Sequence, residues 1–539
     1  MKKLVCALVV CGTAALSTPR WANAADAVSF DVMEFVVEGN TLLPQTVVER
    51  ALQPYMGPGR TFKNIEAARD ALEKAYQDAG YLSVVVSLPN QRVDSGEVRL
   101  DVTEAQVEQL TVSGSQYHLP SKVRAQMSSL EAGQVPLFPQ VQQELASLQS
   151  ADMQVTPLIN PGSQPDKIAV ELKVQDNLPV QASFELNNRQ SYNTSKGRVS
   201  ASAGYGNLFQ LGHRIGLSWQ YAPWRPDDGN TLSLLYSLPL SQRDDLTLSF
   251  TRSHSNTPIV TGDGGNTITR GNQYGLRWQH DLPTRTWPIR HGLFASFDYK
   301  DNQDLTNLNE AVNTAKPALK YGVVGLGYNL NWSAKEGSQF GFNTSLNTSN
   351  HAIAGRLVSC DGKSLDQFAC KRSGASPDFM AWRLGMDYKQ PFANGWRLSL
   401  SAETQLASGP LASGEQYTLG GKDSVRGYYD YEQSGDWGWQ ARAEVSTPPL
   451  FDVSGWKSLG LVFFDRGFVA LIDPLEGQLP RANLASYGLG WRLENGQGLL
   501  LAIDIAEPIY ASQRADNDGK YQVATRRSPR LLASLRQSF

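Results

Sequence analysis

Beyond its first two dozen residues the chain has no apolar run approaching the ~18 residues that a spanning helix needs, so a helical membrane protein is excluded. Cysteine is scarce, four in 539 residues, which rules out a disulfide-dense scaffold. Neither sign of charge dominates: 49 Lys and Arg against 52 Asp and Glu leave a net charge of -3, and nothing in that balance points to nucleic acid as a partner. The six histidines (118, 213, 254, 280, 291, 351) are scattered without ligand spacing. No G-x-S-x-G elbow, H-E-x-x-H pair or Gly-rich phosphate loop is found, so no enzyme, metal or cofactor is expected; a sparse Ser/His hydrolase stays open as a rival.

What is plentiful is glycine (47), tyrosine (20) and tryptophan (12), in a chain long enough for two or three packed units with a mean hydropathy of -0.34. Lys2 and Lys3, the apolar stretch Leu4–Leu16 and the small residues Ala22 and Ala24 read as a secretory signal over residues 1–24, with the mature chain starting at Ala25. A lipoprotein signal at Cys11 is the rival, weakened by the bulky Val10. Cys360 and Cys370 remain in the exported protein. With nine residues between them, in a stretch rich in Gly, Ser, Asp and Lys, they are expected to close a small surface loop as a disulfide; a metal pair is the weaker alternative.

Residues 28–105 read as one small domain of order β-α-α-β-β: a strand at Phe30–Val37, a helix over Pro44–Met56, and a second helix capped by Asn64, with Ile65, Ala68, Leu72, Ala75 and Ala79 in its apolar stripe. Two strands follow. Leu82, Val84, Val86 and Leu88 share a face of the first, and Val98, Leu100 and Val102 point inward from the second, after a turn at Asp94-Ser95-Gly96. Residues 106–178 repeat the plan. Val37-Glu38-Gly39 and Leu43-Pro44 are echoed by Val112-Ser113-Gly114 and Leu119-Pro120, with helices near 121–131 and 136–150 and strands near 153–160 and 167–175. Duplication of a small domain is the simplest account.

From residue 179 to 539 helical periodicity vanishes and alternating segments follow one another. Sixteen are expected, near 181–189, 197–206, 213–221, 230–239, 245–254, 271–280, 290–299, 319–332, 338–348, 378–389, 394–405, 437–447, 457–465, 484–495, 498–507 and 529–539. Alternation alone also suits a soluble sandwich. An even count of strands mostly ~9–11 residues long argues instead for an antiparallel transmembrane β-barrel embedded in outer-membrane lipids. Trp219, Tyr221, Trp278, Trp382 and Trp491 then suit an interfacial girdle. Counting from a first strand that runs outward places Cys360 and Cys370 in the fifth external loop, and residues 406–436 in the loop after strand eleven.

That last loop holds Leu419-Gly420-Gly421-Lys422-Asp423-Ser424-Val425-Arg426-Gly427-Tyr428. Its Arg426 needs a partner if buried, and strand thirteen offers one carboxylate among apolar residues in Leu461-Val462-Phe463-Phe464-Asp465-Arg466-Gly467. Val425-Arg426-Gly427-Tyr428 resembles the sixth-loop tip of outer-membrane assembly and transport barrels, and Phe463, Asp465 and Gly467 resemble their F-x-D-x-G motif. The repeats resemble POTRA domains, while Glu185–Asn188 and Gly206–Leu208 resemble the opening barrel strands. With two such repeats the whole is most similar to two-partner secretion (TpsB-type) transporters of the hemolysin-activator type. The resemblance implies two periplasmic α+β POTRA-like domains before a sixteen-stranded outer-membrane barrel that secretes a TpsA-type partner (adhesin, haemolysin or toxin), with POTRA edge strands receiving it.

It further implies that Arg426 and Asp465 hold the loop in the lumen, as a gate or as a mere brace, and that the terminal Phe539 with Leu531, Ala533 and Leu535 is read by the assembly machinery that inserts the barrel. A helix plugging the barrel, carried by some members, is not expected between Ala25 and Phe30. The rival functions are an assembly factor for other outer-membrane proteins, usually with three or more POTRA domains, and a passive porin, in which the repeats would have no purpose.

Overall fold

A computed structural model describes residues 29–539 except 94, 150–151, 261–266, 285–287, 304–316, 335, 361, 475–477 and 516–520. The leader, the barrel-plug question and Asp94 of the expected turn lie outside the described residues. Two compact units are seen, ending and beginning at Leu178 and Pro179.

In the N-terminal unit each repeat lays helices on a three-stranded sheet with one parallel and one antiparallel pairing. The first sheet has Glu97–Glu104 between Glu34–Glu38 and Val84–Ser87; the second has Lys167–Asp176 between Gln106–Ser113 and Met153–Pro161. Central strands bury alternate residues. Val98, Leu100 and Val102 pack on Leu72, Tyr76 and Ile65, and Val170, Leu172 and Val174 pack on Val123, Met127 and Val141.

One device recurs in both copies. Gly39 and Gly114 have φ of +84° and +79°, and a Cβ there would stand 2.3 and 2.4 Å from the carbonyl oxygens of Val102 and Val174, so only glycine lets the chain turn against the central strand. Two residues beyond each carbonyl a carboxylate receives the turning backbone. Glu104 accepts the N–H groups of Thr41 (2.8 Å) and Leu42 (3.0 Å); Asp176 accepts those of Gln116 (2.9 Å), Tyr117 (2.8 Å) and His118 (2.9 Å). Burial alone would raise the Asp176 carboxyl, but these donors and the His118 ring outweigh it and hold it below the usual carboxylate range.

Local corrections concern ends. The expected opening strand is two, Ser29–Val32 and Glu34–Glu38, with different partners. Thr61, not Asn64, caps the helix Phe62–Asp78: Asn64 stands three residues in and its Oδ1 accepts the Thr61 N–H at 3.0 Å and hydroxyl at 2.9 Å, a reciprocal cap that a search for the first polar residue misplaces. Leu82 precedes its strand and is exposed. The expected 121–131 helix stops at Ala125 and resumes as a 3-10 turn at Ser128–Leu130.

The C-terminal unit is a closed antiparallel barrel of sixteen spanning strands, joined last to first along Ser534–Ser538 and Ser183–Asn187, with the short Phe451–Val453 strand appended at a turn. In order they are Val180–Asn187, Arg198–Leu208, His213–Tyr221, Asn230–Pro239, Asp244–Val260, Thr267–Asp281, Ile289–Gln303, Leu319–Ser333, Gln339–Ser349, Phe379–Pro391, Arg397–Ala407, Trp437–Ser446, Trp456–Ala470, Arg481–Asn495, Leu499–Pro508 and Arg530–Ser538. Each overlaps an expected segment. Strands five to seven and thirteen run well beyond the expected lengths, to 17, 15, 15 and 15 residues.

The barrel is apolar outside and polar inside. Leu217 and Trp219, Leu232 and Leu234, Leu276 and Trp278, and Met380 and Trp382 are exposed on the outer face, whereas Thr231, Thr251, Gln405 and Ser486 turn inward. Register aligns the outer set across strands: Leu217 opposes Leu234, which opposes Phe250, and Leu248 opposes Leu276, which opposes Phe297. Inner neighbours share hydroxyl hydrogen bonds, such as Ser183–Ser202 at 2.8 Å and Thr231–Ser253 at 3.1 Å. An outer belt of this kind is stable against lipid and would be costly in water.

Candidate functional site

Strand thirteen sets the floor of the site. Leu461, Phe463, Asp465 and Gly467 face the lumen and Val462 and Phe464 face outward, so the one carboxylate of the motif points into the barrel. The connection after strand eleven reaches it from above. Gly420 and Gly421 have φ of +107° and +98°, and a Cβ on either would collide with Tyr429 or Asp430, so this tight double bend admits glycine alone.

The structure brings Arg426 and Asp465 together, with side chains 1% and 0% exposed. Arg426 Nε donates to Oδ2 at 2.7 Å, Nη2 to Oδ1 at 2.8 Å and the backbone N–H to Oδ2 at 3.1 Å. Nη1 reaches Glu444 Oε2 at 3.0 Å, and the guanidinium lies 3.4 Å from the centre of the Phe463 ring. Both side chains are shielded from solvent, so removing one partner of the fork is costly.

Each neighbouring motif residue has a steric task. Gly467 leaves room for Leu419, whose Cδ atoms would stand 2.9 Å from an added Cβ. Gly427 has φ +89°, and a Cβ there would stand 3.2–3.3 Å from Pro508 and Ala506. Val425 is fully buried in a cluster with Leu419, Tyr428, Val469 and Leu484. The Tyr428 hydroxyl lies 3.0 and 2.8 Å from the carbonyls of Ala485 and Tyr510 and accepts their N–H groups at 3.3 Å.

Elsewhere, Cys360 and Cys370 are bonded to each other, in the loop after strand nine, but buried rather than at the surface. Phe539 is exposed, and its N–H donates to the Ala182 carbonyl at 2.9 Å. Trp219, Trp278 and Trp382 are exposed on the outer face, while Tyr221 and Trp491 are half-buried.

Several partners of the loop had no sequence signal. Arg189, just past strand one, pairs with Asp430 at 2.9 Å and Asp423 at 2.7 Å; Lys422 donates to Ser534 of strand sixteen at 3.0 Å. Gly488 leaves the space that Phe463 fills, since a Cβ would stand 2.4 Å from its Cζ. Glu415 and Asp436, near the ends of the loop, are also ion-paired and buried. The contacts of residues 420–430 draw the tip onto strands twelve to sixteen and the region just after strand one.

A family model described as haemolysin secretion/activation protein ShlB/FhaC/HecB matches residues 166–493, more than half of the chain, and one described as POTRA domain, ShlB-type, matches residues 30–105. The chain belongs to the ShlB/FhaC/HecB family. Among similar proteins are the outer membrane transporters CdiB of Dickeya dadantii, 23% identical over 430 residues (79% of this chain, 73% of that protein), and of Escherichia coli, 24% identical over 442 residues (77% and 69%). The solved structure of CdiB from Escherichia coli superposes with a TM-score of 0.68 at 19% identity, covering 97% of this chain and 93% of that one. CdiB from Acinetobacter baumannii gives 0.59 at 15% identity, covering 95% and 90%. The protein is therefore an outer-membrane transporter of the ShlB/FhaC/HecB family, with its POTRA domains in the periplasm.

Proposed function

We propose that this ShlB/FhaC/HecB-family transporter secretes a TpsA-type partner protein, an adhesin, haemolysin or toxin. Residues 28–105 and 106–178 act as two receiving domains and residues 179–539 as the conduit. No catalytic step is assigned to it. The observation that carries the reading is the sixth loop laid inside a closed barrel and held there by Arg426 on Asp465 and Glu444. A lumen so occupied cannot pass a polypeptide until that contact is released, whereas a brace for the wall alone needs no loop across the pore.

The repeats supply the other end of the task. Val84–Ser87 and Met153–Pro161 are edge strands with exposed Val85, Leu158 and Ile159, so an extended client can add to either by backbone hydrogen bonds that tolerate varied side chains. Folding of the client outside would pull it through without periplasmic ATP.

The test is secretion, by cells producing the whole transporter, of a large exported β-helical protein encoded beside it. Arg426→Ala and Asp465→Ala are expected to reduce secretion and to raise the frequency of single-channel openings. Normal secretion with unchanged opening in both would sink the gate.

A further inference from the structure

The sixth loop is held at two levels. Its tip, Gly420 to Glu432, carries Arg426. Its stem is a small hairpin in which Tyr417–Leu419 pairs with Gln433–Gly435, and that stem has anchors of its own. Glu415 is buried against Lys300 of strand seven and accepts the Tyr321 hydroxyl of strand eight at 2.6 Å. Asp436, the last residue before strand twelve, is fully buried and takes both arms of the Arg372 fork, Nη2 at 2.9 Å. It also accepts the N–H groups of Leu411 (3.0 Å) and Ile472 (2.7 Å) and the Gln416 amide (3.1 Å). Arg372 donates in turn to the carbonyls of Leu411 (2.9 Å) and Ile472 (2.8 Å). One ion pair thus ties both ends of the sixth loop to the segment after strand thirteen and to the fifth loop.

Arg372 belongs to the fifth loop, two residues past Cys370. The disulfide joins the end of the strand Leu357–Cys360 to the helix Gln367–Lys371, and the Arg372 N–H closes that helix on Phe368 O at 2.9 Å. Phe368 is fully buried in a core that also contains Leu411 and Ala412, so both loops share one apolar cluster at the base of the sixth. A covalent bond fixes the helix, the helix end aims the guanidinium, and the guanidinium holds the stem.

We propose that the fifth loop is a disulfide-closed clasp with Arg372 as a positioning residue for transport: it keeps the stem of the sixth loop on the wall, so that opening moves only the tip. The inference rests on the tip being the gate. For the stem to leave, Arg372 would have to abandon a carboxylate and two carbonyls where water does not reach. The tip, by contrast, begins at the double-glycine bend of Gly420 and Gly421, which serves as its hinge.

The experiment records the whole chain in planar bilayers, with heat-modifiable gel migration as the check on folding. Arg372→Ala, and separately Cys360→Ser with Cys370→Ser, are expected to add an open level at least about twofold larger than that of the unaltered chain, because stem and tip then move together. Arg372→Lys keeps the charge without the fork and restores part of the original behaviour. Refolding the unaltered chain with a soluble phosphine, which keeps both thiols reduced, reproduces the large level, and the same treatment does nothing to the double serine variant. Arg426→Ala, run beside these, raises the frequency of openings without the larger level. An Arg372→Ala barrel that migrates as folded and shows only the original levels overturns the clasp, as does lowered heat resistance with unchanged conductance. If Arg426→Ala is silent too, the gate itself has failed and the clasp falls with it.

Discussion

In the periplasmic unit Val84, Val86, Val98 and Leu100 are at most 3% exposed, whereas in the barrel Leu234, Leu276, Leu326 and Leu489 are 39–63% exposed, on strands with the same two-residue alternation. The inner face of the barrel buries many polar side chains as well: Gln405, Asp465, Ser486 and Asp504 are at most 2% exposed. One period serves two opposite solvents. In the repeats apolar burial drives folding; in the barrel lipid takes the apolar face, and order inside depends on giving buried polar groups partners. Substitutions should therefore hurt in opposite chemical senses in the two regions.

The largest effect is expected at the lumen pair. Asp465→Ala takes the bidentate partner from buried Arg426 and leaves it Glu444 alone, and should weaken the closed loop by up to about 3–5 kcal/mol, seen as new trypsin cleavage at Lys422 or Arg426 in reconstituted barrels. In the repeats, Leu72→Ala should cost about 2–5 kcal/mol through the cavity it leaves, read as faster hydrogen exchange over Glu97–Glu104 while the barrel is unchanged. Leu276→Ala on the outer face should be nearly silent, but Leu276→Arg should cost about 2–4 kcal/mol in lipid, seen as lost heat-modifiable migration. If Leu276→Ala proved as costly as Leu72→Ala, the contrast between the two regions would collapse.

A smaller effect is pH-dependent. Because the folded Asp176 carboxyl titrates below its unfolded value, its contribution is complete above the ordinary carboxylate range and is lost as pH falls through the lowered folded value. Acid should thus loosen Met153–Pro161 and Lys167–Asp176, and Asp176→Asn should remove that pH dependence and about 1–3 kcal/mol by weakening the acceptor of three backbone N–H groups. Hydrogen exchange of those strands across acidic pH checks both. Smallest of all, Ser183→Ala removes one exposed lumen hydroxyl bond, worth about 0.5–1.5 kcal/mol at most.

Most of the fold was legible because period, length and punctuation act within a few residues. Leu232, Leu234, Tyr236 and Leu238 declare a strand whatever the rest of the chain does, and Val37-Glu38-Gly39 declares its turn twice. The tip pair was legible for a different reason: an arginine among glycines and one carboxylate among phenylalanines are each anomalous alone. Arg372 and Asp436, or Lys300 and Glu415, carry no such mark. They are 64 and 115 residues apart, in loops or at strand ends without periodicity, and only the closed barrel brings them together. The Thr61 cap was missed because Asn64 is itself a capping residue, placed to bond backward.

The central claim is that Arg426 and Asp465 act as one latch on a moving loop. The most direct measurement is a double-mutant cycle on channel opening, comparing Arg426→Ala, Asp465→Ala and the pair in planar bilayers. A latch predicts that either single change raises opening and that the double adds little beyond the larger of them. Additive effects, or singles that open no more than the unaltered chain, would contradict it.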